Sequence, residues 1–252
     1  MIRIFLGNVG SGKSISCVRD MKMNEDEIFF SNIITKSRGK DKLGNNHIID
    51  RSDLIKKDLI KTLKNGEEVF KLKFNKEQWM QYREDYGKFN VVLDEFHTLM
   101  SSRDFSTRQN KVMGDFLALI RKICSDSTGD STLTLISQLD NRIDVNARNM
   151  ATEVRYHICL YDKVCEKCGA YWGEHSELPP FQKKKRCPNC ESKKLKLINH
   201  QIMVHYFDSM SHYQDWKYGG INTKIQTHII NNIDEYFGMY NTYQITNLIS
   251  ED

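Results

Sequence analysis

The stretch Ile2-Arg-Ile-Phe-Leu-Gly7-Asn-Val-Gly10-Ser-Gly12-Lys13-Ser14 decides how this chain is read. An apolar, β-favouring run feeds without a linker into a complete G-x-x-x-x-G-K-S phosphate-binding loop, and residues Ile15 to Met23 continue as a predicted helix. Gly7, Gly10 and Gly12 permit backbone conformations that a Cβ resists, so successive N–H groups can turn into one concavity around phosphates. Gly7, Asn8, Val9, Gly10, Ser11, Gly12, Lys13, Ser14 and Ile15 are therefore the expected nucleotide contacts. Lys13 reaches the β- and γ-phosphates as a point charge, Ser14 offers its hydroxyl to Mg2+, and the helix N-terminus adds its dipole. Strand, loop and helix in this order predict an α/β fold with a mostly parallel sheet. ATP and Mg2+ are the expected cofactors.

Two further strands are read against that loop. Phe89-Asn-Val-Val-Leu-Asp94-Glu95-Phe-His97 is a short apolar strand ending in adjacent carboxylates. Asp94 is suited to holding Mg2+ and Glu95 to taking a proton from an attacking water. Ser131-Thr-Leu-Thr-Leu-Ile-Ser137 is a second buried strand, and Gln138 at its end is expected to face the γ-phosphate. Arg103, Arg108, Arg121, Arg142 and Arg148 follow the carboxylate strand; Arg121 is the first candidate to reach a neighbouring subunit's phosphate, with Arg142 and Arg148 next.

The 252 residues suit one α/β domain with a small accessory module, and three prolines argue against disorder. The net charge of +4 is a weak indication of nucleic-acid binding, but Lys36 to Lys42 and Lys183 to Arg186 concentrate the basic residues. No apolar run is long enough to span a membrane, and the N-terminus lacks an export-signal pattern, so a cytoplasmic protein is expected. Seven cysteines in such a chain point to thiols or metal. Cys165 and Cys168 form one C-x-x-C and Cys187 and Cys190 another, at a zinc-ribbon interval, which predicts a closed structural Zn2+ site.

Residues Glu27 to Ile34 read as a second strand beside the first, Ser52 to Lys64 and Asn75 to Asp85 as helices, and Asn110 to Cys124 as an amphipathic helix. Glu153 to Asp162 and Leu195 to Asp208 read as strands bracketing the cysteines. The expected organisation is an ATPase core over 1–162, a zinc-ribbon insertion at the tip of a β-hairpin over 163–194, and completion of the core with a C-terminal tail over 195–252.

The order of these motifs resembles the FtsK–HerA superfamily of DNA-translocating ATPases, and within it the zonula occludens toxin-like and viral genome-packaging ATPases. Ser137 to Arg148 and the tail Tyr240-Asn-Thr-Tyr-Gln244 add looser similarity. The resemblance implies a RecA-like core working as a hexameric ring that pumps DNA, with Lys13, Ser14, Asp94, Glu95 and Gln138 at the family's functional positions. The ribbon departs from the minimal core and suggests a grip on DNA, a capsid or an assembly protein. A packaging motor in a host cytoplasm, associated with a virion, fits better than a membrane-tethered exporter. A P-loop phosphotransferase acting on a small molecule and a nucleotide-dependent assembly module stay open as alternatives.

Overall fold

The computed structural model describes residues 1–36, 43–99, 108–124 and 131–245, excepting the side chains of 97, 99, 108–110, 121 and 242–245. The first half of the chain gives β1 (Ile2–Leu6), α1 (Lys13–Met23), β2 (Phe29–Ser31), β3 (Ile33–Thr35), β4 (Asn46–Ile48), α2 (Arg51–Leu54), β5 (Ile55–Thr62), β6 (Glu68–Phe74), α3 (Lys76–Tyr86), β7 (Asn90–Leu93), α4 (Phe96–Leu99) and α5 (Arg108–Cys124). The second half gives β8 (Leu133–Ile136), α6 (Val145–Met150), β9 (Glu153–Cys165), β10 (Tyr171–His175), β11 (Leu195–Phe207), α7 (Met210–Lys217), β12 (Gln226–Ile230), α8 (Asp234–Phe237) and β13 (Tyr240–Ile245).

The main sheet runs β12-β11-β9-β1-β8-β7-β2-β4, with β10 added on β9. Every pair from β9 to β4 along this order is parallel, whereas β11 and β12 continue it antiparallel. The sheet is thus mixed and dominated by parallel strands. Its centre is covered on both faces, which is why β1, β7 and β8 read as apolar runs and not as alternating ones. Alternate residues divide between two cores: Ile2, Ile4 and Leu6 pack with Trp79, Phe116 and Leu117, while Phe5 packs with Ile15, Val18 and Met21 of α1.

Two expectations about local structure are corrected. Ser52 to Lys64 is not a helix; α2 lasts one turn and the chain passes into β5, which pairs antiparallel with β6. The Asn65-Gly66 turn, with Gly66 at φ 84°, joins two strands rich in alternating side chains, and that pairing outweighs helical periodicity. The run from Glu27 to Ile34 divides into β2 and β3, and β2 lies beside β7 and β4, separated from β1 by β8 and β7.

Strands β9 and β11 are the longest, 13 residues each. Their inner parts lie in the core, with Val154, Val204 and Phe207 at most 1% exposed. Their outer parts run past the core and carry β10 and all four paired cysteines. The register shifts between Ile198 and Gln201, where Asn199 takes a φ of 52°.

Candidate nucleotide site and cysteine cluster

Because β1, β8 and β7 are parallel neighbours, the loops leaving their carboxyl ends emerge on one edge of the sheet, where α/β folds place ligands. That edge carries the glycine loop after β1, Gln138 after β8, and Asp94-Glu95 after β7. A cavity of about 250 Å3 opens there, lined by Val9 to Ile15, Glu95 and Gln138, with Cys159, Ile233, Phe237 and Tyr240 closing it.

The loop has the backbone its glycines allow. Gly7, Gly10 and Gly12 have φ values of 144°, 74° and 92°. A Cβ on Gly7 would stand 2.5 Å from the His157 carbonyl oxygen of β9, and one on Gly12 would stand 2.4 Å from Ile202 Cδ1 of β11. The two long strands therefore press against the phosphate-binding loop from below, and only glycine leaves room for both.

Lys13 is 7% exposed, and its Nζ donates to the carbonyls of Gly7 at 2.8 Å and Asn8 at 3.0 Å. Burial holds its pKa below the usual lysine value, countered by the charges of Asp94 and Glu95. Ser14 donates its hydroxyl to Asp94 Oδ2 at 2.5 Å. Burial pushes the Asp94 carboxyl up from its ordinary value, while the Ser14 hydroxyl and the Glu95 amide pull it down. A hydroxyl and a carboxylate in contact beside a cradle of amides form a hard-oxygen donor pair that suits Mg2+.

Glu95 takes a φ of 51°, in the left-handed region that a non-glycine residue enters at a cost. Gln138 Nε2 donates to its Oε1 at 3.1 Å. Asn32 fixes the neighbouring backbone: Asp94 N–H donates to Asn32 Oδ1 at 2.7 Å, and Asn32 Nδ2 donates to the Asp94 carbonyl at 3.0 Å. Asn32 is a site residue that the sequence signals only as a lone amide inside the apolar run Phe29 to Ile34. Cys159, Ile233, Phe237 and Tyr240 were also missed as cavity residues, and nothing local marks them.

Arg142 and Arg148 do not line the cavity, the Arg121 and Arg108 side chains lie outside the described residues, and Arg103 is likewise outside them. The Lys36 to Lys42 cluster falls outside as well beyond Lys36.

At the far end of the β9–β11 hairpin, Cys165, Cys168, Cys187 and Cys190 hold their sulfurs within 4.8 Å of one another. Cys165 Sγ lies 3.6 Å from Cys190 Sγ, and Cys168 Sγ lies 3.5 Å from Cys187 Sγ. Zinc–sulfur bonds of ~2.3 Å require tetrahedral edges of about 3.8 Å, close to the two short sulfur pairs, so the donor set fits a closed Zn2+ site. The module is tied back to the core through Glu177, which accepts from Lys217 Nζ of α7 at 2.8 Å and from the Tyr156 hydroxyl.

No protein-family model and no curated protein sequence matches the chain. Its structural neighbours include the N-terminal domain of zonular occludens toxin from Neisseria meningitidis. That pair is 12% identical, with a TM-score of 0.46, over 95% of this chain and 98% of the other. The genome-packaging NTPase B204 from Sulfolobus turreted icosahedral virus 2, in complex with ATP-gammaS, is 12% identical with a TM-score of 0.41, over 91% of this chain and 96% of that one. The chemistry assigned to this chain rests on its own residues.

Among the described residues no helix is long and apolar enough to cross a membrane.

Proposed function

We propose that the chain is a P-loop ATPase that couples ATP hydrolysis to the movement or packaging of DNA, acting as a ring oligomer. The observation that carries the ATPase part is the convergence of Lys13, Ser14, Glu95 and Gln138 on one cavity, with Asp94 hydrogen-bonded to Ser14. The DNA-moving part is supported by the order of those motifs along the sequence.

In this reading the amides of residues 8–15 hold the phosphates of ATP, and Lys13 leaves the Gly7 and Asn8 carbonyls to neutralise the β- and γ-oxygens. Ser14 and Asp94 would hold Mg2+, which when bound would supply charge neutralisation at the phosphates. Glu95 takes the proton of the attacking water, and Gln138 fixes the carboxylate that does so. Ile233, Phe237 and Tyr240 provide the apolar wall that a nucleoside needs. The four cysteines hold structural Zn2+, which closes the outer hairpin into a separate module over 163–194 of a core formed by 1–162 and 195–252.

The deciding experiment is steady-state ATP hydrolysis with and without single- and double-stranded DNA, at low and moderate salt, with Lys13→Ala as the blank. Stimulation by DNA that weakens with salt is expected. Turnover indifferent to DNA overturns the motor and points to a small-molecule acceptor, whereas tight ATP binding without turnover points to an assembly module.

A further inference from the structure

The cysteine module has a charge distribution unlike the rest of the chain. Residues 163–196 hold nine lysines and arginines against four glutamates, a formal +5 in a chain whose whole balance is +4. Some of these cations are used internally: Lys163 pairs with Glu174 at 2.9 Å, and Lys183 donates to the Ser176 carbonyl at 3.3 Å. Lys167, Lys185, Arg186, Lys193, Lys194 and Lys196 are exposed, and none has a carboxylate within ion-pair distance among the described residues. Six unpaired cations on so small a module repel one another, and an anionic partner relieves that repulsion.

The fold gathers them. The 3.5 Å approach of Cys168 to Cys187 brings their chain neighbours Lys167 and Arg186 to the same end of the module. Glu166 N–H donates to the Lys194 carbonyl at 3.0 Å, which sets Lys193 and Lys194 beside the first knuckle. On the same module, in the segment that leads to Arg186, stands Phe181, 84% exposed, a large ring that packing leaves in water. It is presented stiffly, because Pro179 and Pro180 precede it and the N–H groups of Gln182 and Lys183 close a turn on the Pro179 carbonyl at 2.9 and 3.3 Å. An ordered, exposed aromatic on one module with unpaired cations suits a strand that spans several nucleotides and whose bases are free: charge for the phosphates, ring for a base.

We propose that the outer β9–β11 module is a binding face for single-stranded nucleic acid, with Lys167, Arg186, Lys193 and Lys194 on the phosphates and Phe181 stacked on a base. A duplex offers phosphates but no free base face for Phe181 to stack on. The inference deepens the function proposed above by naming where a strand is held, and it is measured without nucleotide, so a failure of hydrolysis leaves it intact.

The test is fluorescence anisotropy of the full, zinc-loaded chain with a labelled single strand of mixed sequence and with the corresponding duplex, titrated across salt. Arg186→Glu/Lys193→Glu/Lys194→Glu is expected to lose tenfold or more in single-strand affinity, with the salt slope reduced by about 2, each single-strand phosphate contact contributing ~0.7. Phe181→Ala is expected to lose about tenfold on the single strand and little on the duplex. The control Lys57→Glu/Lys61→Glu/Lys64→Glu makes the same charge change on the β5–β6 hairpin and is expected to bind nearly as well as the parent. Zinc content and thermal midpoint, unchanged in all variants, show that folding is retained. Equal loss in the control overturns the proposal, as does a duplex preference with Phe181→Ala silent, or binding of an acidic protein surface but neither nucleic acid.

Discussion

Gln138 holds Glu95: the amide Nε2 of one donates to the carboxylate Oε1 of the other at 3.1 Å, across the boundary between two parallel strands. Each residue leaves the end of its own strand, and β7 and β8 are adjacent, so the pair forms without a loop reaching over. A base fixed from the side is held in one orientation at the cavity it lines. Glu95→Gln should bind ATP with near-parental affinity but hydrolyse it more slowly by 10²-fold or more, on the order of what a positioned general base contributes. Gln138→Ala should cost less, about tenfold in kcat, with little change in KM. Single-turnover rates and ATP binding measured side by side check both, and a Glu95→Gln enzyme with parental turnover removes Glu95 from this role.

The glycines of the phosphate loop should fail in two different ways. At Gly12 a Cβ meets the far end of a flexible side chain, Ile202 Cδ1 at 2.4 Å, while at Gly7 it meets backbone, the His157 carbonyl at 2.5 Å. Both positions also have positive φ, which costs an L-residue roughly 1–2 kcal/mol. Gly12→Ala should therefore be partly relieved by Ile202→Ala, with a coupling of about 1 kcal/mol or more in a double-mutant cycle. Gly7→Ala should show no relief from the same change. Denaturant midpoints of the parent, the three single variants and the two double variants decide it, and additive losses at Gly12 contradict the contact.

How far these features could be read in advance depends on how local they are. The glycine loop, Ser14, the Asp94-Glu95 pair and the two C-x-x-C pairs each declare themselves within a few residues, because one turn or one knuckle dictates the residue types. Gln138 was legible only through its strand, Leu133 to Ile136, whose apolar run announces burial. The β5–β6 hairpin was misread although Asn65-Gly66 marks its turn, since the lysines and apolar residues of 55–62 satisfy a helical period as well as a strand period. Ile233, Phe237 and Tyr240 reach the cavity only because the C-terminal segment folds back, with Tyr240 opposite Thr35 in the β13–β3 pairing. No local rule in the sequence encodes that return. The Ile202 and His157 contacts that make Gly12 and Gly7 obligatory are likewise set by strand order.

The cysteine cluster should bind one zinc per chain and depend on it. Four sulfurs within 4.8 Å, as thiolates, repel strongly without a cation between them. Cys168→Ser or Cys187→Ser should lose the metal and loosen the outer hairpin, seen as faster amide exchange over 163–196. The inner parts of β9 and β11 should keep their protection because their side chains are packed in the core. Elemental analysis with hydrogen exchange measures both effects, and a metal-free chain with full protection over 163–196 contradicts the assignment.

His157 should make the fold less stable in mild acid. Its ring is fully buried and lies 4.6 Å from Phe5, its Nδ1 is 3.2 Å from the Arg155 carbonyl, and its Nε2 has no hydrogen-bond partner among the described residues. Burial, helped by the charges of Lys13 and Arg155, lowers its pKa to about 3. Above the unfolded value of ~6.5 both states are neutral and the residue adds no pH dependence. Between about 6.5 and 3 the unfolded chain binds a proton that the folded chain refuses, so stability falls as pH falls through this window. Asp94 acts in the opposite direction, its carboxyl being raised in the fold, so the comparison has to be made between proteins that share it. His157→Leu also removes an unpaired buried nitrogen. It should therefore show a shallower loss of stability than the parent from about pH 7 to pH 4 in denaturant titrations, with parallel pH profiles as the result that rules this out.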